Sequence, residues 1–146
     1  KNGVPDDFKY LAVAESGLQN VVSHAGATGF WQIMKATGRE YGLEINDNVD
    51  ERYHLEKATE VACRYLKRWK DKYGTWTLTA ASYNAGPGAI NKYLGIQQVD
   101  DYYDLLLGQD NFPIQQTMIS MYLITYLMHS LFLQLFLPEA YSFLLL

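Results

Sequence analysis

Apolar side chains between positions 55 and 73 recur at the three- and four-residue spacing of an α-helix. They are Ala58, Val61, Ala62, Tyr65, Leu66, Trp69 and Tyr73. Lys and Arg side chains occupy the other face of this predicted helix, and Gly74 follows as a stop signal. No segment alternates apolar and polar residues in the way that a half-buried strand does. The sequence therefore predicts a mainly α fold, with one domain as the default for 146 residues.

Shorter helices are predicted on both sides of this long one. The first begins at Pro5, where proline suits the first helical turn, and ends at Gly17, a residue typical of helix C-termini. Further helices are predicted over residues 30–34, 36–41, 76–83, 89–94 and 101–107, with loops at 24–29 and 47–52 and a sharp turn at 86–88.

Charge and cysteine content exclude several classes of function. The net charge is −4, and all 12 Lys and Arg residues precede position 93, so no basic surface for nucleic acid is predicted. Cys63 is the single cysteine and lies on the apolar face of the long helix, which favours a buried, inert thiol. His24, His54 and His129 are scattered without the spacing of metal ligands, and we predict neither a metal nor a cofactor.

Glu15 is the strongest candidate for a chemical role. It falls in the last turn of the first helix, after the apolar run 11–14. Burial and the negative end of the helix dipole would both raise its pKa, which would let the carboxyl act as a general acid near neutral pH. An exposed carboxylate on the protein surface is the ordinary alternative for a single Glu at a helix end. Asp47, Asp50 and Glu51 are predicted to be solvated and do not supply a second catalytic carboxylate.

Two further segments have the composition of a sugar-binding wall. Residues 26–32 are rich in glycine, which allows close approach of a ligand to the backbone, and Gln32 can both donate and accept hydrogen bonds. Tyr83 and Asn84 lie just before Gly86, where they could hold a carboxyl group and a sugar. A glycine-rich turn into a helix and an ordinary helix cap are the alternatives for these segments.

The order of these three motifs resembles a known enzyme family. Glu15-Ser16, residues 26–34 (GATGFWQIM) and residues 83–86 (YNAG) are similar to the catalytic domain of lytic transglycosylases of the soluble type, and most of all to their membrane-bound D branch. Residues 50–53 and the long helix after them also resemble that branch. The similarity covers about residues 4–108.

This resemblance implies a lysozyme-like, mainly α fold with a deep groove. It implies cleavage of the β-1,4 bond between N-acetylmuramic acid and N-acetylglucosamine in peptidoglycan, with a 1,6-anhydro product. Glu15 would be the one acid and base. By the same resemblance, Ser23, Gln32, Met34, Tyr83 and Asn84 would bind the substrate. A bacterial cell-envelope location is implied as well.

The resemblance ends after Gly108, and the composition changes with it. Residues 111–138 carry no charged side chain unless His129 is protonated, and residues 118–137 are nearly as long as a membrane span. We predict a catalytic domain at 1–110 and an atypical apolar helical tail at 111–146. Membrane association would come from this tail or from an anchor ahead of Lys1.

Two alternatives to this enzyme assignment stay open at the level of sequence. One is a goose-type lysozyme, which would use the same Glu and add water to the bond. The other is an inactive glycan-binding module, or a poorly folded remnant of the catalytic domain, that results from the altered C-terminus.

Overall fold

The computed structural model of the protein describes residues 2–100 and Leu105. Within that part of the chain there are helices and isolated β-bridges but no β-strand, which confirms the predicted mainly α class. The helices are α1 (Lys9–Ser16), α2 (Lys35–Glu40), α3 (Leu55–Tyr73), α4 (Trp76–Ala85) and α5 (Pro87–Gln97), with 3₁₀ turns at Asp6–Phe8 and Glu51–Tyr53.

Helix α3 has the bounds that its apolar spacing predicts. It ends at Gly74, whose φ of 72° is left-handed and whose N–H donates to the Lys70 carbonyl at 2.9 Å. Its buried residues are Ala58, Val61, Ala62 and Leu66. The apolar stripe therefore faces the protein interior.

The two helices after α3 are longer than predicted. The Thr75 hydroxyl accepts from the Leu78 N–H at the start of α4, and α4 continues to Ala85. Gly86 then takes a φ of 81°, and α5 begins at once with Pro87. Proline fits this first helical position because its missing N–H needs no partner there.

The helix predicted over residues 30–34 is wrong. Thr28 and Ile33 exchange backbone hydrogen bonds of 3.0 and 3.1 Å in a bridge. The residues between them form a tight turn, with Gly29 at φ 82° and Gln32 at φ 47°. Left-handed backbone at two positions cannot continue a right-handed helix. The next predicted helix, 36–41, is present as α2.

Helix α4 is the central element, since it packs against α3 on one side and α5 on the other. One buried cluster joins α1, the 28–33 turn and α3, and it includes Leu11, Ile33 and Val61. A second cluster joins Leu78 and Ala81 of α4 to Ile90 of α5 and to Leu105. Tyr83, near the end of α4, packs against the first cluster, which therefore holds α1 and α4 beside the 28–33 turn.

The rest of the predicted organisation lies outside the described residues. That holds for the apolar stretch 118–137, for the 111–146 tail and for all of the helix predicted at 101–107 except Leu105, which is helical and buried. Among the residues that are described, no helix has both the length and the apolar character needed to cross a bilayer.

Candidate active site

Glu15 occupies the last turn of α1, as predicted. The helix ends at Gly17, which has a φ of 61° and donates its N–H to the Val13 carbonyl at 2.8 Å. Glu15 is partly buried, and no residue in the described part of the chain gives its carboxyl a hydrogen bond or an ion pair. Burial raises the pKa of Glu15 to about 7. The carboxyl can therefore keep its proton near neutral pH.

Tyr83 is the neighbour that connects Glu15 to the rest of the site. Burial raises the pKa of the Tyr83 hydroxyl well above its ordinary value, and the nearby Glu15 carboxylate raises that pKa further. The hydroxyl stays protonated and donates a 2.7 Å hydrogen bond to the Trp31 carbonyl. The Tyr83 ring also meets the Tyr65 ring edge-on, with centroids 5.5 Å apart.

The three sequence motifs converge on two consecutive carbonyl groups of the 28–33 turn. Ser16, next to Glu15, donates from its hydroxyl to the Phe30 carbonyl at 2.8 Å. Tyr83 donates to the carbonyl of Trp31, and the Trp31 indole N–H donates to the Thr59 hydroxyl at 2.8 Å. The turn is thus held by α1, α3 and α4 together.

A cavity of about 310 Å³ opens beside this turn. It brings together four of the predicted substrate-binding residues, which are Gln32, Met34, Tyr83 and Asn84. The rest of its wall consists of Ile33, Thr37, Val61, Ala62, Tyr65, Ala85, Gly86 and Pro87. Glu15 and Ser23 do not line this cavity. Glu15 lies close to Tyr83, which does line it.

The polar groups of the cavity are partly committed to the fold. Gln32 donates from Nε2 to the carbonyls of Val21 and Gly29, at 3.0 and 2.8 Å, which leaves its Oε1 as an acceptor for a ligand. Asn84 is exposed, and its carboxamide has no hydrogen bond to any described residue. Met34 is 45% exposed and offers an apolar rim.

Ser23 has a local structural partner. Its Oγ accepts a hydrogen bond of 3.0 Å from the Ala27 N–H, and its own N–H donates to the Ala27 carbonyl at 2.8 Å. These bonds close the turn that leads into residues 28–33. A direct contact of Ser23 with a substrate stays a prediction.

Comparison with known proteins assigns this arrangement to a family. Residues 1–105 match the family model described as the transglycosylase SLT domain. The chain belongs to this family. Its mainly α, lysozyme-like architecture is that of the family, as predicted from the motifs.

The chain is also similar to two curated relatives. Both are named membrane-bound lytic murein transglycosylase D, one from Escherichia coli strain K12 and one from Escherichia coli O6:H1 strain CFT073. Each is 33% identical over 116 residues, which cover 75% of this chain and 26% of the relative. The chain spans about a quarter of the length of these relatives.

Arg52 holds the glycine-rich segment 26–32 in place, a role that the sequence did not indicate. Its guanidinium is buried, with the side chain 8% exposed, and it donates to the carbonyls of Gly26 and Ile33 at 3.0 and 3.1 Å. It also pairs with Asp50 at 2.7 Å, and this hydrogen-bonded pairing lowers the pKa of Asp50. Arg52 therefore clamps both ends of the glycine-rich segment.

The prediction of solvated carboxylates at 47–52 is consequently wrong at two of its three positions. Asp50 holds Arg52, and the Glu51 side chain, 16% exposed, accepts from the Lys57 ammonium and from the Glu44 N–H. Asp47 is exposed as predicted.

Gly29 is a second residue whose importance only the structure reveals. A side-chain carbon at this position would lie 2.2 Å from the Arg52 carbonyl oxygen, and the φ of 82° already favours glycine. The 28–33 turn and the Arg52 backbone therefore touch at a point where no other residue fits.

Two other predictions concern titratable side chains. Cys63 is partly exposed, so the prediction of a buried thiol is wrong. Within residues 2–100 and Leu105, no cluster of three or more His, Cys, Asp or Glu side chains could hold a metal ion.

Proposed function

We propose that this SLT domain is the catalytic domain of a lytic transglycosylase. It cleaves the β-1,4 bond between N-acetylmuramic acid and N-acetylglucosamine and forms 1,6-anhydromuramic acid. The observation that carries the proposal is Glu15, a partly buried carboxyl with a pKa of about 7 beside Tyr83, which borders the cavity. The family assignment supports it.

Glu15 performs both proton transfers in this proposal. Its protonated carboxyl donates to the glycosidic oxygen as the bond from that oxygen to C1 of muramic acid breaks. The resulting carboxylate takes the proton of the muramyl C6 hydroxyl as that oxygen bonds to C1. The proton that leaves Glu15 is thereby replaced, and no water is consumed.

The composition of the cavity wall supports a mechanism with one carboxyl group. Glycosidases that hydrolyse their substrate ordinarily place a second carboxylate opposite the acid. Among the described residues that line the cavity none is an Asp or a Glu, and the proposed acid Glu15 lies beside the lining residue Tyr83. In the proposed reaction the substrate's own hydroxyl is the nucleophile, so a second carboxylate is not required.

Substrate binding is assigned to the residues that the structure gathers at the cavity. Gln32 Oε1 accepts hydrogen bonds from sugar hydroxyl or acetamido N–H groups, and the Asn84 carboxamide both donates to and accepts from them. Met34 contacts the apolar face of a sugar ring, and Tyr83 fixes the turn. Ser23 shapes the turn that presents these groups.

The direct test is release of muropeptides from purified peptidoglycan sacculi. We expect Glu15→Gln to lose about 10²–10⁴-fold in rate, the typical contribution of a general acid, while its circular dichroism spectrum is unchanged. Glu60→Gln is the matched control, since Glu60 is exposed on α3 and distant in sequence from the three motifs. Undiminished release by Glu15→Gln would refute the assignment.

Mass spectrometry of the products separates the possible activities. An anhydromuropeptide is lighter by one water than the product of a goose-type hydrolase, and the proposal requires the lighter product. Binding to sacculi without release would identify a glycan-binding module instead. Either of those two outcomes contradicts the proposed reaction.

The proposed substrate places the protein in the bacterial cell envelope, in the periplasm or at the outer membrane. The names of the relatives describe membrane-bound murein transglycosylases, which agrees with this location. Attachment through a segment ahead of residue 1 or through the apolar tail is part of the proposal. Recovery of the native protein in the cytoplasmic fraction of its host would contradict it.

A further inference from the structure

Tyr65 lies at the centre of an aromatic cluster that borders the cavity. Its ring centroid is 5.5 Å from that of Tyr83 and 5.9 Å from those of Tyr41 and Trp69. Of these four residues, Tyr65 and Tyr83 line the cavity. Tyr65 comes from the middle of α3, and none of the sequence motifs includes it.

The Tyr65 hydroxyl differs from that of Tyr83 in its hydrogen bonding within the protein. The Tyr83 hydroxyl is committed to the Trp31 carbonyl, whereas the Tyr65 hydroxyl donates to no acceptor among the described residues. Burial raises the pKa of Tyr65 to about 12, so the group is a neutral donor and acceptor throughout the physiological range. It is available for a ligand in the cavity.

The Trp69 indole N–H is a donor that could bond to the Tyr65 oxygen. The indole Nε1 is buried, and this N–H makes no hydrogen bond of acceptable geometry to any described residue. The ring is enclosed by Tyr65, by the stacked Tyr73 ring at 5.6 Å and by the cations of Arg68 and Lys72. A buried donor without an acceptor costs stability.

The Tyr65 hydroxyl oxygen is the acceptor that can satisfy the Trp69 indole N–H. The Trp69 side chain comes close enough to the Tyr65 hydroxyl to oppose part of the rise in the Tyr65 pKa. A hydroxyl that donates to one partner becomes a better acceptor for another, because hydrogen bonds in a chain polarise each other. A ligand oxygen on Tyr65 would therefore improve the Trp69 contact.

We propose that Tyr65 is a glycan-binding residue of this groove, and that its hydroxyl donates to a sugar oxygen while it accepts from the Trp69 indole N–H. Trp69 is then a positioning residue, which fixes the hydroxyl rotor for the ligand. The ligand class is an oligosaccharide of N-acetylated hexosamines, whose acetamido and hydroxyl oxygens are acceptors. This identification of the ligand rests on the proposed function.

The test measures binding of the N-acetylglucosamine tetramer to the Glu15→Gln variant, which prevents turnover. The chain has three Trp residues, and their indole N–H signals are resolved by ¹⁵N NMR and assigned with Trp69→Phe. We expect the tetramer to move the Trp69 signal downfield. The Trp31 signal should stay in place, because that indole already donates to Thr59.

Removal of the Tyr65 hydroxyl should abolish both effects. We expect Tyr65→Phe in the same background to bind the tetramer about tenfold more weakly, the value of one hydrogen bond, and to leave the Trp69 signal unmoved. Tyr41→Phe is the matched control, since the Tyr41 ring contacts Tyr65 but does not line the cavity. It should bind as the background does.

Three results would overturn the inference. They are unchanged affinity in a folded Tyr65→Phe variant, a Trp69 shift that persists in that variant, and no binding of the tetramer at millimolar concentration. The proposed function fails separately, if the wild-type chain releases no anhydromuropeptides from sacculi. A chain that binds the tetramer through Tyr65 but releases no such product would keep this inference and lose that function.

Discussion

The hydroxyl of Tyr83 donates a 2.7 Å hydrogen bond to the main-chain carbonyl of Trp31, across 52 residues of sequence. This bond fixes the end of α4 to the turn that carries Gln32. Ser16 makes the equivalent bond from α1 to the adjacent Phe30 carbonyl. The relative position of the proposed acid and the cavity wall therefore depends on two hydroxyl groups.

Tyr83→Phe should lower the stability of the folded protein. The change leaves the Trp31 carbonyl without its donor but keeps the ring in the core, so we expect a loss of about 1–3 kcal/mol in the free energy of unfolding. Urea denaturation measures the loss. Tyr53→Phe is the control, since Tyr53 is 41% exposed, and should change stability by less than about 0.5 kcal/mol. Equal stability of the two variants would contradict the role given to this bond.

Glu15→Gln should stabilise the protein in a pH-dependent way. The ordinary pKa of 4.5 applies to the unfolded chain and a pKa of about 7 to the folded one. The folded state therefore holds the proton more tightly, and this contribution to stability is lost as pH rises from 4.5 through 7. A difference of two to three pKa units amounts to about 3 kcal/mol.

Denaturation of both proteins at pH 4.5 and pH 8 measures this effect. The variant should be close to wild type at the lower pH and more stable by up to about 3 kcal/mol at the higher pH. The comparison cancels the titration of the other carboxylates. A stability difference that does not change with pH would show that Glu15 has an ordinary pKa.

The pH dependence of activity should report the same carboxyl group. The proposed acid must carry its proton when substrate binds, so kcat/KM should fall tenfold per pH unit above a midpoint near 7. Release of anhydromuropeptides between pH 5 and pH 9 gives the profile. A midpoint near 4.5 would indicate a solvated carboxylate and remove the basis of the general-acid role.

Gly29 and Gly26 provide a matched pair for the close contact at the turn. Both have left-handed φ angles, of 82° and 83°, so both Ala variants are strained by roughly 1 kcal/mol. Only at Gly29 does the added carbon meet the Arg52 carbonyl, at 2.2 Å, whereas nothing lies within 4 Å at Gly26. We expect Gly29→Ala to cost at least about 2 kcal/mol more than Gly26→Ala in thermal or urea unfolding.

Arg52→Met should be among the most destabilising changes in the described part of the chain. It removes the donor for the Gly26 and Ile33 carbonyls and leaves Asp50 without its partner, at a cost of about 3–5 kcal/mol. Arg68→Met is the control, because its pair with Glu40 is exposed on both sides and contributes little. Similar losses of unfolding free energy in the two variants would contradict the stabilising role assigned to the Arg52 hydrogen bonds.

Local sequence signals were sufficient for the helices that begin and end at unambiguous residues. Helix α3 follows from its apolar spacing and from Gly74, and the end of α1 follows from Gly17. The predicted start at Pro5 was wrong, because a 3₁₀ turn at Asp6–Phe8 precedes α1, which begins at Lys9. The predicted helix at 30–34 failed because its apolar composition fits a buried turn as well as a helix. Only the pairing of Thr28 with Ile33 distinguishes the two.

Some residues of the candidate site could likewise be predicted from the sequence, and others could not. The chemical types and the order of Glu15, Gln32, Tyr83 and Asn84 are readable in the sequence, because a general acid and amide groups are recognisable from composition. Tyr65 was not recognisable, since an aromatic residue on the apolar stripe of a helix is ordinarily part of the core. Its place at the cavity depends on how α3 packs beside α4.

The sequence by itself determined the helical class, the family and the identity of the one carboxyl group proposed for catalysis, since spacing, caps and motifs are local properties. The tertiary structure decided that this carboxyl has a pKa near 7, that Arg52 is buried and that Gly29 touches the Arg52 carbonyl. Those properties depend on burial and on contacts between residues far apart in the chain. They arise only when the helices and the turn pack together.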